Sequence, residues 1–422
     1  MLPLPSSRPT LSHLALAISA AGLLTLPLLA TSASAEEQQP AWAQGRSAEL
    51  AESPLAPHAT PLTVTAPDDI PIDDLRMPDG FNAEIWAHGM SGARMMALGD
   101  EGTVFVGTRG IGRVYAVTDN GDERQHVIVA EGLTQPNGVA FKDGSLYVAA
   151  INRILRYDDI EAALANGEVP EPEELTEAFG LPDDQHHGWK FLAFGPDDRL
   201  YIPVGAPCNG CEVDPDTHAS IHSFAADGSD MRVEAHGVRN SVGFDFHPET
   251  GELWFTDNNQ DWVGEHGPND ELNRLSESGA NFGFPYCHGL GVIDPALGDA
   301  SSCDGVDLPA ATFDPHSAPL GMRFYTGEMF PEEYRNAIFI ARRGSWNRSL
   351  SAGYDVQVAK IAENGERAGL SPFMVGFLDA SENTFSGRPV DVLQMPDGAL
   401  LVSDEQNGAI YRISYTTPDY VE

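Results

Sequence analysis

The chain has 422 residues and a formal net charge of −39, because 63 Asp and Glu residues outnumber 24 Lys and Arg residues. Such acidity argues against a nucleic-acid ligand, since phosphate backbones are bound by basic surfaces. It suits solubility and says little about the fold.

An export signal is predicted at the N-terminus. Residues 1–13 are a short polar opening, residues 14–30 are mostly apolar, and Ala33-Ser34-Ala35 is an A-x-A cleavage site. This layout is typical of a signal peptide over residues 1–35. The alternative, a transmembrane anchor, is disfavoured because the apolar run is short and contains Pro27. We therefore expect a periplasmic or secreted protein with no membrane span after signal removal.

Residues 36–74 are rich in Ala, Pro, Glu and Gln and lack apolar periodicity, which predicts a flexible leader. Helix signals are weak in the rest of the chain. Two short loop helices are predicted, at residues 158–165 and at residues 331–335, where proline stands at the first helical position.

From residue 75 onward, a β pattern repeats. Each copy is a short apolar strand, a turn with Asp, Gly or Pro, and a second apolar strand. The copies begin at Met96, Val139, Leu192, Phe244, Met322 and Asp391. Six hairpins at this spacing predict a six-bladed β-propeller over residues 75–422. A β-sandwich is the alternative, but it would not repeat the same turn chemistry six times. Residues 81–87 are a candidate strand for closing the last blade.

Four cysteines suggest disulfides, because the chain is predicted to be exported. Their neighbours in sequence suggest the pairs Cys208–Cys211 and Cys287–Cys303. Cys208 and Cys211 could instead be half of a zinc site, but no second Cys-x-x-Cys pair exists. They are not a c-type haem motif, because Glu212 stands where histidine is required.

Basic residues are scarce, yet several cluster near the repeat. Function in a propeller lies in the loops at one end of the channel. Cations converging there would bind a multiply charged anion, whereas the alternative is that each arginine pairs with an acidic residue. The candidates are the cluster Arg335, Arg342, Arg343 and Arg348, and Lys190, Arg239 and Arg388 beside predicted inner strands.

Two polar motifs adjoin the third and fourth repeats. His186 and His187 directly precede the third, where a histidine could act as a general base because its reference pKa lies near neutrality. The alternative is a pair of plain loop residues. Residues 265–273 contain Gly267-Pro268, and such loops offer backbone carbonyls to calcium. The alternative there is an ordinary turn.

Together these motifs resemble those of the soluble sugar dehydrogenases that depend on pyrroloquinoline quinone (PQQ). The branch most resembled is the sorbosone- and pyranose-dehydrogenase-like one. The resemblance runs from about Leu75 to Tyr415. The motifs that carry it are His187-Gly188-Trp189-Lys190, Val238-Arg239-Asn240, residues 265–273, residues 281–289, residues 344–348 and residues 387–391.

The resemblance implies a propeller enzyme that oxidises an aldose or related sugar with PQQ and calcium. A separate acceptor, such as a cytochrome or quinone, would take the electrons, because no Cys-x-x-Cys-His motif is present. The resemblance implies that His187 is the general base and that Gly267 and Pro268 are calcium ligands. Arg239 and Asn240 would lie near the reactive carbonyls of PQQ, and Trp346 would cover a face of the cofactor or the sugar. The residues that would face the carboxylates or the edge of PQQ are Lys190, Arg343, Arg348 and Arg388.

Two positions depart from the family pattern. Arg343 stands where the branch often has histidine, and Val390 stands where glucose-oxidising members carry a second arginine, so glucose is not assumed to be the substrate. Two other functions stay open. A calcium-dependent lactonase-like hydrolase would leave the converging arginines unexplained, and the third possibility is a non-enzymatic binding propeller.

Overall fold

The computed structural model describes residue 62, residues 64–119 and residues 124–418. The predicted signal peptide and most of the predicted leader lie outside the described residues. Within the described part of the chain, no helix combines the length and the apolar character needed to span a bilayer.

Six sheets form the blades of a propeller, which confirms the predicted fold. Each copy of the sequence repeat supplies the first two strands of one blade. First strands contact one another between blades 1 and 2, 2 and 3, 4 and 5, 5 and 6, and 6 and 1. The strands, blade by blade, are Ala93–Leu98, Val104–Thr108, Val114–Asp119 and Arg124–Ala130; Gly138–Lys142, Ser145–Ala150, Arg153–Tyr157 and Glu173–Glu174; Ala193–Phe194, Leu200–Val204, Ser220–Phe224 and Arg232–His236; Phe244–Phe246, Leu253–Asp257, Glu271–Arg274 and Ala311–Thr312; Pro319–Phe324, Ile338–Arg342, Asp355–Ile361 and Ala368–Met374; Pro389–Gln394, Leu400–Asp404, Ala409–Tyr415 and Phe81–Ala87.

A few smaller elements decorate the blades. Ala280–Asn281 adds a parallel strand to the outer edge of blade 3. Two small hairpins pair Cys287–His288 with Val292–Ile293 and Leu378–Asp379 with Thr384–Phe385. The α-helices are Ile160–Ala165 and Thr176–Phe179, and the 3₁₀ turns are Pro67–Asp69, Ile72–Asp74 and Glu332–Tyr334. The two predicted loop helices therefore exist, the second as a single 3₁₀ turn.

The N-terminal strand closes the propeller, as predicted. Phe81–Ala87 pairs antiparallel with Ala409–Tyr415, with Phe81 opposite Tyr415. The Phe81 ring packs edge-on against Phe330 and Phe373, with centroids 4.8 and 4.9 Å away. Closure by a strand from the opposite chain end joins the first and last blades and covers an edge that would otherwise be unpaired.

The end of the predicted leader lies on the propeller. Ile70, between the two N-terminal 3₁₀ turns, is buried in the core between blades 5 and 6. The backbone N–H of Thr65 donates to Asn407 at 3.1 Å. One buried isoleucine among prolines and acids gives no periodic signal, so sequence patterning could not detect this docking.

The core consists of apolar layers between neighbouring blades. Along the second strand of blade 1, Val104 and Val106 face blade 6, whereas Phe105 faces blade 2. Blade 4 repeats this arrangement, with Trp254 facing blade 5 and Phe255 facing blade 3. Because each second strand is buried on both faces, it reads as a continuous apolar run rather than an alternating one.

Both predicted disulfides are present. Cys208–Cys211 closes a tight loop that follows the second strand of blade 3. Cys287–Cys303 closes the long insertion in blade 4. These bonds exclude the zinc half-site that the sequence left open.

Candidate functional site

A cavity of about 1000 Å³ lies at one end of the propeller, where loops that precede first strands meet loops that follow second strands. Its ionisable lining residues are Arg94, Arg109, Arg239, Arg343, Arg388, His186, His187, His316, Asp261, Asp270 and Glu405. Six residues predicted for the site line it, namely His187, Arg239, Asn240, Arg343, Trp346 and Arg388. Lys190, Arg348, Gly267 and Pro268 are not among its lining residues.

His187 is held in one orientation by its loop. Its backbone has φ of 50°, a left-handed conformation that non-glycine residues adopt infrequently. Gly205 packs beside it, and a Cβ at position 205 would lie 2.6 Å from the His187 Cβ. The Nδ1 atom is 2.9 Å from the carbonyl oxygen of Ala206. A carbonyl only accepts, so Nδ1 carries the proton and Nε2 keeps a free lone pair.

The environment of His187 keeps its imidazole neutral. Burial lowers its pKa well below the usual 6.5, and the positive charge of Arg239 lowers it further. The neighbouring His186 ring lies 4.0 Å away between centroids, and burial lowers its pKa to about 4. Two neutral imidazoles therefore lie side by side in the cavity wall, one of them with a defined tautomer.

Arg388 presents an unsatisfied cation. Its guanidinium stacks over the Phe385 ring, 4.3 Å from the centroid, and is largely buried. Its Nε and Nη1 atoms have no hydrogen-bond partner among the described residues. Burial lowers its pKa to about 10, and the like charge of Arg343 adds to the shift. Leaving a buried donor unpaired is unfavourable, so this arrangement favours an incoming anion.

Arg239 has the opposite character. Its Nε and Nη2 donate to the carbonyl and side-chain oxygens of Asn209, and Nη2 also donates to Asp261. Nη1 donates to the carbonyls of Asn258 and Asn259. These bonds use all five guanidinium N–H groups. Arg239 therefore organises the wall and contributes charge, and it has no donor left for a ligand.

An ion-pair triad spans blades 1, 5 and 6. Glu405 is buried and pairs with both Arg94 and Arg343. Burial opposes its ionisation, but the two arginines outweigh that effect and hold the pKa of Glu405 far below its usual range. Since one carboxylate serves two arginines, the triad keeps a net positive charge at the cavity wall.

Aromatic rings share the wall with these cations. The Arg109 guanidinium stacks over Trp189 at 3.6 Å from the ring centroid, and burial lowers its pKa to about 9. Trp346 lines the cavity and packs edge-on against Trp262 with centroids 5.5 Å apart. Flat apolar faces beside guanidinium groups suit a planar anionic ligand.

Buried carboxylates fasten the cavity loops. Asp257 ends the second strand of blade 4 and accepts from the backbone N–H groups of Arg239 at 2.9 Å and Asn240 at 2.6 Å. Asp404 ends the second strand of blade 6 and accepts from the N–H of Arg388 at 2.9 Å. Burial raises the pKa of both carboxyl groups, and these N–H donors oppose the shift. In both blades, therefore, a buried carboxylate at the end of a second strand positions the backbone of a cavity arginine.

The other predicted cations have different partners. Lys190 is buried and donates to the carbonyl of Gly188, and burial lowers its pKa to about 8. Arg348 donates to two backbone carbonyls, those of Leu350 and Pro315. Arg342 pairs with Asp355 and Asp314, and Arg335 is exposed. Of the four clustered arginines, Arg343 is the one that lines the cavity.

The predicted calcium loop lies next to the cavity. Asp261 and Asp270, which flank Gly267 and Pro268 in sequence, both line the cavity. Asp270 accepts from the backbone N–H groups of Asn259 and Ala318. Within the described residues no group of three or more His, Cys, Asp or Glu could hold a metal. A cation here would therefore depend on carbonyl oxygens, which calcium accepts as ligands.

Sequence reasoning missed Arg94, Arg109 and Glu405. Arg94 lies two residues before the first repeat copy, and Glu405 lies three residues after the sixth. Arg109 follows a second strand, as Arg343 does in blade 5. Charged residues at these strand ends were therefore a usable signal. His316 also lines the cavity, whereas nothing in its sequence context distinguishes it.

Comparisons with known proteins agree with this architecture. A family model described as Glucose / Sorbosone dehydrogenase matches residues 172–412. An uncharacterized protein of Borreliella burgdorferi is 33% identical over 356 residues, which is 81% of this chain and 91% of that protein.

The fold is shared with solved structures, two of them from sugar dehydrogenases. The holo PQQ domain of pyranose dehydrogenase from Coprinopsis cinerea has a TM-score of 0.65 at 20% identity, covering 81% of this chain and 97% of that one. The PQQ-bound aldose sugar dehydrogenase of Streptomyces coelicolor has a TM-score of 0.57 at 19% identity, covering 81% and 100%. Because the Glucose / Sorbosone dehydrogenase model matches more than half of the chain, the chain belongs to this family of sugar oxidoreductases.

Proposed function

We propose that the chain is a PQQ- and calcium-dependent dehydrogenase that oxidises an aldose or related sugar and passes the electrons to a separate acceptor. The observation that carries this proposal is the buried guanidinium of Arg388, whose Nε and Nη1 have no partner among the described residues. Four more arginines line the same cavity.

The charge and the aromatic lining of the cavity support PQQ as its ligand. PQQ is a planar cofactor with three carboxylates, and guanidinium groups bind carboxylates in paired hydrogen bonds. Arg388 supplies free donors, and the triad of Arg94, Arg343 and Glu405 supplies net positive charge. Trp346 offers a flat face. The cofactor contacts implied by the resemblance are thus best supported for Arg343, Trp346 and Arg388, and Arg94 and Arg109 join them.

Calcium would be held by the carbonyl oxygens of Gly267 and Pro268. Oxygen donors are what calcium takes, and Asp261 and Asp270 supply negative charge in the adjoining wall. The ion would offset part of the negative charge of the tricarboxylate cofactor and would polarise the cofactor.

His187 would act as the general base. When bound, PQQ accepts the two electrons that leave the sugar. The bond from Nδ1–H to Ala206 leaves Nε2 free to take the hydroxyl proton, and the lowered pKa keeps that nitrogen unprotonated at neutral pH. Asn240 lies in the same wall, where its carboxamide could orient cofactor or substrate.

The two competing functions do not explain the arginines of the cavity. A lactonase-like hydrolase acts on a neutral ring and needs no cationic cradle. A binding propeller gives no reason to bury an unpaired guanidinium, since leaving it unpaired is unfavourable. The two disulfides fit an oxidising compartment, which supports the periplasmic or secreted location expected from the sequence.

Reconstitution tests the proposal. Metal-stripped protein is mixed with calcium and PQQ and assayed by dye reduction against a panel of aldoses and related sugars, with lactone hydrolysis measured in parallel. We expect dye-linked activity only when both additions are present. An Arg388→Ala variant should bind PQQ at least about tenfold more weakly, because it loses a charge-assisted contact. Lactone hydrolysis without sugar oxidation would overturn the assignment.

A further inference from the structure

An apolar hairpin lies exposed at the cavity end of the propeller. It spans residues 286–293, where Cys287–His288 pairs with Val292–Ile293. Its exposed apolar side chains are Tyr286 at 38%, Leu290 at 62%, Val292 at 43% and Ile293 at 41% exposure. Single exposed apolar residues are ordinary, but four on one short hairpin mark an interaction surface.

The hairpin is fastened to the cavity wall. The backbone N–H of Gly289 donates to Glu271 Oε1 at 2.7 Å, and Asn259, which lines the cavity, donates its side-chain N–H to the same oxygen at 2.6 Å. On its other side, the Tyr286 hydroxyl donates to Glu212, directly after Cys211. Both disulfide loops therefore support this surface, and a partner bound there would lie beside the cavity.

The segment that contains the hairpin and the segment around Cys211 that it contacts are both acidic. Exposed carboxylates within the Cys287–Cys303 loop or shortly after either disulfide are Glu212, Asp214, Asp216, Asp299 and Asp304. No Lys or Arg occurs between Arg199 and Arg232 or between Arg274 and Arg323. An apolar centre with an acidic rim complements a partner that has an apolar patch ringed by Lys or Arg. The same rim repels anionic lipid and acidic proteins.

We propose that residues 286–293 and their acidic rim are the docking surface for a cationic one-electron haem protein. This inference rests on the proposed function, which requires an acceptor. Oxidation of one sugar C–OH to C=O releases two electrons and two protons. Two haem proteins therefore bind in succession, each is reduced by one electron, and the protons pass to solvent. A small quinone would reach the cavity without needing this rim.

The test compares two sets of substitutions in the full mature chain. The docking variant carries Leu290→Ser, Val292→Ser and Ile293→Ser. The matched control carries Val127→Ser and Ile128→Ser, two exposed apolar residues on the outer strand of blade 1. The probe is a cationic c-type cytochrome, and three quantities are measured: its binding to the PQQ-free chain, its reduction by reconstituted enzyme, and dye-linked turnover.

We expect the docking variant to bind and reduce the cytochrome at least about tenfold more weakly, with dye-linked turnover within about twofold of the parent. The control variant should match the parent in all three measurements. Raising the salt concentration should weaken binding to the parent, because the rim charges are exposed.

The docking surface would be overturned if the docking variant bound the cytochrome as well as the parent does. It would also be overturned if the control variant lost as much cytochrome binding as the docking variant. A third contrary result is binding of the parent, but not of the docking variant, to neutral phosphatidylcholine vesicles, which would make the hairpin a membrane contact. Binding is measured without PQQ, so it reports on docking independently. Absence of dye-linked activity with variant-sensitive binding would refute the proposed dehydrogenase and leave the docking surface standing.

Discussion

His187 is the residue on which the proposed chemistry depends most directly. Removing a general base slows turnover by about a hundred- to ten-thousand-fold. His187→Ala should therefore lose turnover on that scale while still binding PQQ, because the cationic wall remains. His186→Ala is the control: it lines the same cavity without a fixed tautomer and should be milder. Steady-state kinetics measure the turnover of both variants, and titration measures their PQQ binding. Turnover of His187→Ala within a few-fold of the parent would reject His187 as the base.

The lowered pKa of His187 has a measurable sign. A base works when deprotonated, so activity is retained as pH falls from neutral to 6.5 and is lost only when pH falls through the lowered pKa. Arg239 contributes to that lowering, so Arg239→Gln should move the acidic limb of kcat/KM to higher pH. Arg239→Lys keeps the charge and should leave the limb in place. A parent limb above pH 6.5 would contradict the assignment.

Glu405 shows how strongly the cavity depends on one carboxylate. Glu405→Gln leaves Arg94 buried without its charge partner, which should lower the free energy of unfolding by about 3–5 kcal/mol. Glu131→Gln is the control: that carboxylate is exposed, 3.7 Å from Arg113, and should change stability by less than about 1 kcal/mol. Urea unfolding of the cofactor-free protein measures both. If Glu405→Gln changed the free energy of unfolding as little as Glu131→Gln does, the ion pair between Glu405 and Arg94 would not stabilise the fold.

At the scale of elements, the closing strand determines whether the ring holds together. Phe81 fills the aromatic core beside Phe330 and Phe373, so Phe81→Ala should lower stability by about 3–5 kcal/mol. Asn82, next on the same strand, is exposed, and Asn82→Ala should change stability by less than about 0.5 kcal/mol. Thermal and urea unfolding test this; equal effects at the two positions would mean that strand closure does not depend on burial.

At the scale of the molecule, removing the metal should affect activity but not folding. The apolar layers lie between blades, away from the predicted calcium loop, so chelation should abolish dye-linked oxidation yet leave the β-sheet circular dichroism unchanged. Calcium with PQQ should restore activity. Magnesium is the control ion; it demands a smaller octahedral site and retains its waters, so it should restore little. Full activity of metal-stripped protein would remove calcium from the proposal.

Local sequence was sufficient for the architecture. Blades are hairpins of neighbouring residues, so each appears as a contiguous strand–turn–strand pattern, and six copies predict six blades. The closing strand and both disulfides followed from position and spacing along the chain. Position before a repeat copy drew attention to His186 and His187 together, and the family resemblance then singled out His187. Its role as base stays a prediction.

Only the tertiary structure decided which cations meet. Arg94 and Arg388 are almost three hundred residues apart in sequence and share one cavity, whereas Arg342 and Arg343 are adjacent and only Arg343 lines it. Direction of a side chain depends on the loop backbone and on the partners it finds, and neither has a local pattern. That Arg239 has every donor engaged while Arg388 has donors free follows from contacts between distant loops, which no sequence motif encodes.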